Sequence, residues 1–226
     1  MLKVFLPLLF TLAGILSAQE PSEEFTVFRM PLNEEDKPLF EEVCLQLAKY
    51  PIVKGNFKQK KVITKLSRTF ESEGVFLISE QDGILWDTQK PFPLLLAVTD
   101  SKVVQKTPQG KYQVIHTADN AVFREFAKTI QAVFSGKPAE LYGRFDIYFF
   151  SQPPHKKGVL PGSHIGLIPK DKTLRDLFAF IYIRVDSVLA DCILKESNGD
   201  QIVYQFSGHQ FPERLTKEEQ EAFLAE

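Results

Sequence analysis

The chain has 226 residues, 44% apolar, 12% aromatic and 25% charged, which is the composition of one ordinary globular domain. Its net charge of −2 argues against nucleic-acid binding, and two cysteines exclude a disulfide-rich scaffold and a cysteine-only zinc site. The histidines (His116, His155, His164, His209) lie far apart, and the one unusual count is 20 phenylalanines against a single tryptophan.

Residues 1–18 have the layout of a secretory signal peptide: Lys3, an apolar run from Val4 to Leu16, then the small pair Ser17-Ala18. The run falls short of the ~20 apolar residues a membrane span needs, and Pro7 interrupts it. Leu16-Ser17-Ala18 looks like a bacterial lipobox without its cysteine. The reading is therefore a soluble single domain, residues 19–226, in an oxidising compartment, a bacterial periplasm. That compartment permits a Cys44–Cys192 bridge, although the apolar surroundings of both suit two buried free thiols equally well.

A polar lead, Gln19 to Glu35, precedes a helix predicted over 36–50. Pro38 suits its first turn, Pro51 ends it, and Leu39, Phe40, Val43, Cys44 and Leu47 make one apolar stripe. From Val53 to His116 the period becomes that of strands. Six short β-rich runs are separated by Gln81-Asp82-Gly83, Lys90-Pro91, Asp100-Ser101 and Pro108-Gln109-Gly110. A second helix is predicted over 119–134, with Val122, Phe123, Phe126, Ala127, Ile130, Val133 and Phe134 on its apolar face. Strands return at 144–150, 163–168, 178–186, 187–197 and 201–207, with a hairpin turn at Ser197-Asn198-Gly199-Asp200. A polar helix ends the chain over 216–225, and the Pro/Gly-rich stretch 152–162 reads as a mobile loop. Short connections favour antiparallel neighbours. The expectation is a mainly β, α+β fold, one antiparallel sheet of about ten strands that must curl.

Few residues offer chemistry. Glycine-rich phosphate loops and the H-E-x-x-H zinc motif are absent. Gly162-Ser163-His164-Ile165-Gly166 lacks nucleophile-elbow spacing, and adjacent residues on a strand point to opposite faces. The reading is that the chain is not an enzyme and needs neither cofactor nor metal. Lys58-Gln59-Lys60-Lys61 suits either a contact with an anion or lipid headgroup or a solvated strand face. Val75–Ile78, Leu94–Val98 and Ile147–Phe150 are apolar on both strand faces, where a half-buried sheet would alternate. Either both faces are covered, or one lines an apolar cavity. Two good amphipathic helices are few for so large a sheet, which favours a concave apolar face partly closed by helices.

Three pieces resemble the LolA family of periplasmic lipoprotein carriers. They are Gly55-Asn56-Phe57-Lys58-Gln59-Lys60, then Gly74–Ile78 followed by Ile84-Leu85-Trp86 and Pro91, and Ala97-Val98-Thr99-Asp100-Ser101-Lys102. The resemblance implies an unclosed β-barrel with a helical lid, the lid including the helix at 119–134. It also implies a non-catalytic shuttle that carries lipoprotein acyl chains from the inner to the outer membrane. The implied partners are an inner-membrane exporter and an outer-membrane acceptor, and the chain is read as a monomer. Two departures stand out: Glu80 occupies a position where the family often has a lid-holding Arg, and the turn is Asp100-Ser101 rather than Asp-Gly. The lipid-anchored LolB family shares that fold, but the missing lipobox cysteine argues against it.

Residues sharing parity within each strand are the candidate lipid-binding lining: Phe76, Ile78, Ile84, Trp86, Leu94, Leu96 and Val98. Phe123, Phe126 and Ile130 would form the lid's inner face. Competing readings are a periplasmic binding module for another lipid or glycolipid, or a non-catalytic scaffold.

Overall fold

The protein is described here by a computed structural model covering residues 26–99, 101–106, 110–116, 132, 137–152 and 162–225. The signal segment lies outside the described residues. So does the helix expected over 119–134, apart from Ala132, and with it the candidate lid residues Phe123, Phe126 and Ile130.

Eleven strands form one sheet in which every pairing is antiparallel. They are β1 (Ile52–Ile63), β2 (Arg68–Ser79), β3 (Gly83–Lys90), β4 (Leu94–Val98), β5 (Lys102–Lys106) and β6 (Tyr112–His116), then β7 (Phe145–Gln152), β8 (Gly162–Pro169), β9 (Phe178–Val185), β10 (Leu189–Glu196) and β11 (Gln201–Gln210). The spatial order is β6-β5-β4-β3-β2-β1-β11-β10-β9-β8-β7. Two meanders are thus stitched together at the centre, where β11 pairs with β1. β6 and β7 are the two edges, so the barrel does not close. This is the unclosed antiparallel sheet that the strand pattern and the resemblance led one to expect.

Among the described residues four helices accompany the sheet: α1 (Lys37–Leu47), α2 (Pro138–Arg144), α3 (Lys172–Leu177) and α4 (Lys217–Leu224). α1 ends at Leu47 rather than near Tyr50, because Ala48 and Lys49 already bond back to Cys44 and Gln46 in a tightened last turn. α2 and α3 went unread in the sequence, since at 7 and 6 residues neither offers enough turns for a periodic stripe.

Cover differs between the two faces and the two halves of the sheet. On the inner face of β7–β10, Phe40, Val43 and Cys44 of α1 join Phe149, Ile165, Leu167 and Ile183 in one buried cluster. On the outer face of the same half, Val27 and Phe28 pack with Tyr148, Tyr182 and Ile193. Val27, wholly buried, belongs to a 3-10 turn inside the stretch read as a polar lead. Its described part, residues 26–35, is therefore part of the fold, tied down further by a bridge between Pro31 and Tyr148.

On the outer face of β1–β6, α4 inserts Ala222 and Phe223 among Ile52, Leu77, Leu85, Ala97 and Val104. The terminal helix is polar on average, yet Ala222 and Phe223 bury one side of it against that face. A capping box at Thr216 and Glu219 starts it, and Glu219 accepts from Lys54 Nζ on β1 at 2.6 Å. Outer-face cover by α4 explains half of the two-sided apolar character of β2, β3 and β4. The other half faces the inner side.

Cys44 and Cys192 are both free, buried thiols within the α1 cluster, so of the two open readings the structure carries the unbridged one. Burial pushes each thiol up to about 12, which leaves both protonated and unreactive at neutral pH.

Candidate functional site

Strand register decides which side chains share the inner face of β2–β5. Phe76 lies opposite Trp86, Ile78 opposite Ile84, Ile84 opposite Val98, and Trp86 opposite Leu96, with Thr88 opposite Leu94. Because side chains alternate with period two, all seven described candidate residues therefore fall on one face. Ile84, Val98 and Val103 form its buried apolar floor, with Ile78 and Trp86 against it. Leu94 and Leu96 are half-buried on the same face, nearer the opposite end of the strands.

Sequence reasoning missed the aromatic floor supplied from the centre of the sheet. Phe57 of β1 lies 4.4 Å from Trp86 between ring centroids, and Tyr204 and Phe206 of β11 meet Trp86 edge-on at 5.0 and 6.0 Å. Phe76 reaches both Phe206 and His209. Alternation within β11 marks Tyr204 and Phe206 as one face, but no local signal says that β11 lies beside β1. Two glycines make the arrangement possible. A Cβ on Gly55 would sit 2.7 Å from the Phe76 ring, so only glycine lets that ring lie flat across β1. Gly208 has φ +62 within the irregularity between β1 and β11, and this bulge turns His209 inward onto Phe76.

Beyond this floor, towards the turns that end β2, β4 and β9, lies a cavity of about 390 Å³. Its apolar wall is Leu47 of α1 with Val53, Phe76, Ile78, Ile84 and Leu189. Its mouth is polar: Gln46, Glu80, Asp82, Lys137, Glu140 and His209. The volume falls in the range of small-molecule sites, about 300–1,000 Å³. Glu80, the departure from the resembled pattern, is exposed at that mouth, and its backbone N–H donates to the Pro51 carbonyl at 2.9 Å.

Burial favours the neutral forms of two titratable groups on this face, His209 and Tyr204. Burial keeps His209 below the ordinary imidazole range, opposed by a hydrogen bond with the Leu189 backbone. Its Nε2 is buried without a hydrogen-bond partner among the described residues. Burial also raises the Tyr204 phenol well above its usual value. The described residues contain no group of three or more side chains suited to hold a metal ion. Ser163 and His164 point to opposite faces, as alternation requires. Ser163 Oγ meets Ser151 Oγ at 3.2 Å, while His164 stacks on Phe150 and shares a 2.8 Å hydrogen bond with Tyr182. What the arrangement offers chemically is an apolar, weakly titrating concavity with a polar rim.

An open antiparallel barrel with an apolar internal face defines a binding architecture rather than a packed β-domain. The family described as outer membrane lipoprotein carrier protein LolA matches residues 49–219, and the chain belongs to that family. Among solved structures, the chain is similar to a DUF1329 family protein from Desulfovibrio piger ATCC 29098, at 9% identity, with a TM-score of 0.45, over 79% of this chain and 94% of that one. It is also similar to a putative outer membrane lipoprotein-sorting protein domain from Vibrio parahaemolyticus, at 10% identity and TM-score 0.42, covering 79% and 94% of the two chains. A LolA superfamily protein from Nitrosomonas europaea is similar at 8% identity and TM-score 0.42, over 79% and 95%. No curated protein matches the chain.

Proposed function

We propose that this protein is a periplasmic carrier that takes lipoprotein acyl chains onto the inner face of its sheet and shuttles them from the inner to the outer membrane, without catalysis. The observation that carries the reading is the half of that face that no helix covers among the described residues. α1 fills the inner side of β7–β10, while Phe76, Ile78 and Ile84 instead border a cavity. Family membership supports the same class of cargo.

The energetics suit a carrier. Each buried CH₂ gains ~0.8 kcal/mol on leaving water, so a long acyl chain does not escape into the periplasm unaided. Passing from a bilayer to an apolar cavity exchanges one apolar setting for another, so the net change is small and hand-off is reversible. Such a device needs an apolar concavity and a route into it, but no reactive group. Among the described residues no helix is long and apolar enough to cross a membrane.

The polar, mostly acidic mouth at Glu80, Asp82 and Glu140 favours a second reading, a carrier for another lipid with a polar headgroup. Native mass spectrometry of protein purified from periplasm without detergent separates the two. Bound acylated lipoprotein supports the first reading, and another bound lipid supports the second. Protein that is empty and also ignores an acyl fluorescent probe refutes both.

A further inference from the structure

The end of the sheet opposite the cavity has its own character. The β1–β2 and β3–β4 hairpin turns of the first meander, and beside them the ends of β5 and β6 at Lys106 and Tyr112, lie there because the strands are consecutive and antiparallel. The β1–β2 hairpin is the longest: Arg68–Ser72 pair with β1 but extend beyond the last partner of β3. These tips carry large apolar side chains turned out to water. Phe92 is 81% exposed, Leu66 62% and Phe70 51%. Elsewhere among the described residues the exposed large apolar residues are Met30 and residues on helices, such as Leu39, Leu45 and Leu224, while Tyr50 and Phe211 stack on each other.

Charge at this end also departs from the whole. Across residues 58–73, 87–92, 106 and 110–112 there are eight Lys or Arg against three carboxylates, Glu71, Glu73 and Asp87, in a chain whose net charge is −2. Glu73 is taken up by Lys90 at 2.8 Å. From the adjacent turn after β10, Glu196 is taken up by Lys61 at 2.9 Å and Asp200 accepts the Thr64 backbone N–H. Lys58, Lys60, Lys65 and Arg68 remain exposed. A groove of about 550 Å³ joins the first two hairpins and gathers Lys58, Lys60 and Lys90 along its wall.

We propose that these hairpin tips form a docking surface for an anionic lipid bilayer, with Phe92, Leu66 and Phe70 entering the interfacial layer and the surrounding lysines and arginine contacting headgroup phosphates. Aromatic and aliphatic side chains gain by entering the interface, and cations nearby are drawn to an anionic leaflet within a Debye length. The basic run Lys58–Lys61 thereby divides its labour: Lys58 and Lys60 stay exposed to reach headgroups, while Lys61 is tied to Glu196. The cavity mouth, at the other end and mostly acidic, faces away from the same leaflet.

Flotation of the full chain with vesicles of phosphatidylethanolamine and phosphatidylglycerol tests the surface, with phosphatidylcholine replacing phosphatidylglycerol in the control. Association with the anionic vesicles, weakened by high salt, is expected. Phe92→Asp and Leu66→Asp, both at exposed positions, should each weaken it about tenfold or more while acyl-probe binding stays at the parent level. Replacing Lys58, Lys60 and Arg68 by Gln should abolish the preference for phosphatidylglycerol. Folded protein that does not float with anionic vesicles at low salt overturns the proposal. So does association that is insensitive to Phe92→Asp but lost in Leu96→Asp, because the inner face would then be extracting lipid.

Discussion

The two halves of the inner face are built from similar residues and end in different states. In β7–β10, Phe149, Ile165, Leu167 and Ile183 are almost fully buried, because α1 lays Phe40, Val43 and Cys44 across them. In β2–β5, Phe76, Ile84 and Val98 are buried too, but Trp86, Leu94 and Leu96 on the same face stay half-buried, and Phe76, Ile78 and Ile84 border a cavity. One helix of 11 residues, about 16 Å long at 1.5 Å per residue, cannot span an eleven-stranded sheet. The difference teaches that the same apolar alternation is packed as core where α1 covers it and borders a cavity where, among the described residues, no helix does.

That contrast can be broken by mutation, and the largest expected effect lies in the filled half. Phe40→Ala should cost about 3–5 kcal/mol of stability, read from urea unfolding, because a wholly buried ring leaves a cavity among side chains that have no room to collapse. In the open half, Leu96→Asp should lower acyl-probe affinity about tenfold or more while shifting the urea midpoint far less than Phe40→Ala does. A large loss of stability there, with probe binding intact, would make the two halves alike and turn the open face into ordinary core.

Smaller effects sharpen the picture. Thr216→Ala removes the capping box of α4 and should cost about 1 kcal/mol, with acyl-probe binding unchanged, since α4 covers only the outer face. His209 gives a pH signature. Its folded pKa lies below the ordinary 6.5, so below that pH the unfolded chain binds more protons than the folded one. The stability that His209 contributes is therefore present above pH 6.5 and is lost as pH falls from 6.5 through the depressed folded value. Comparing urea midpoints of the parent and His209→Gln across that window should show a shallower acid slope in the variant.

How much of this was legible in the sequence follows from what is local. Turn residues such as Gln81-Asp82-Gly83 and Asn198-Gly199 place hairpins, and alternation assigns Phe76, Trp86, Leu96 and Val98 to one face whatever lies opposite. Registers confirm that assignment residue by residue. Val27 and Phe28 were overlooked because they sit in a charged stretch and their burial comes from Tyr148, Phe180 and Tyr182, all more than a hundred residues away. Phe223 was overlooked because one buried ring in an eight-residue polar helix barely registers as a stripe.

By itself, then, the sequence determined the strands, their turns and the parity of their side chains, because backbone geometry ties each of these to neighbours within a few residues. Only the tertiary structure decided that β11 lies beside β1, bringing Tyr204, Phe206 and His209 to Phe76 and Trp86. It also decided which apolar face α1 fills, which α4 covers, and which is left to line a cavity. Burial of apolar surface is non-directional: alternation says that a face must be covered, and long-range packing selects what covers it.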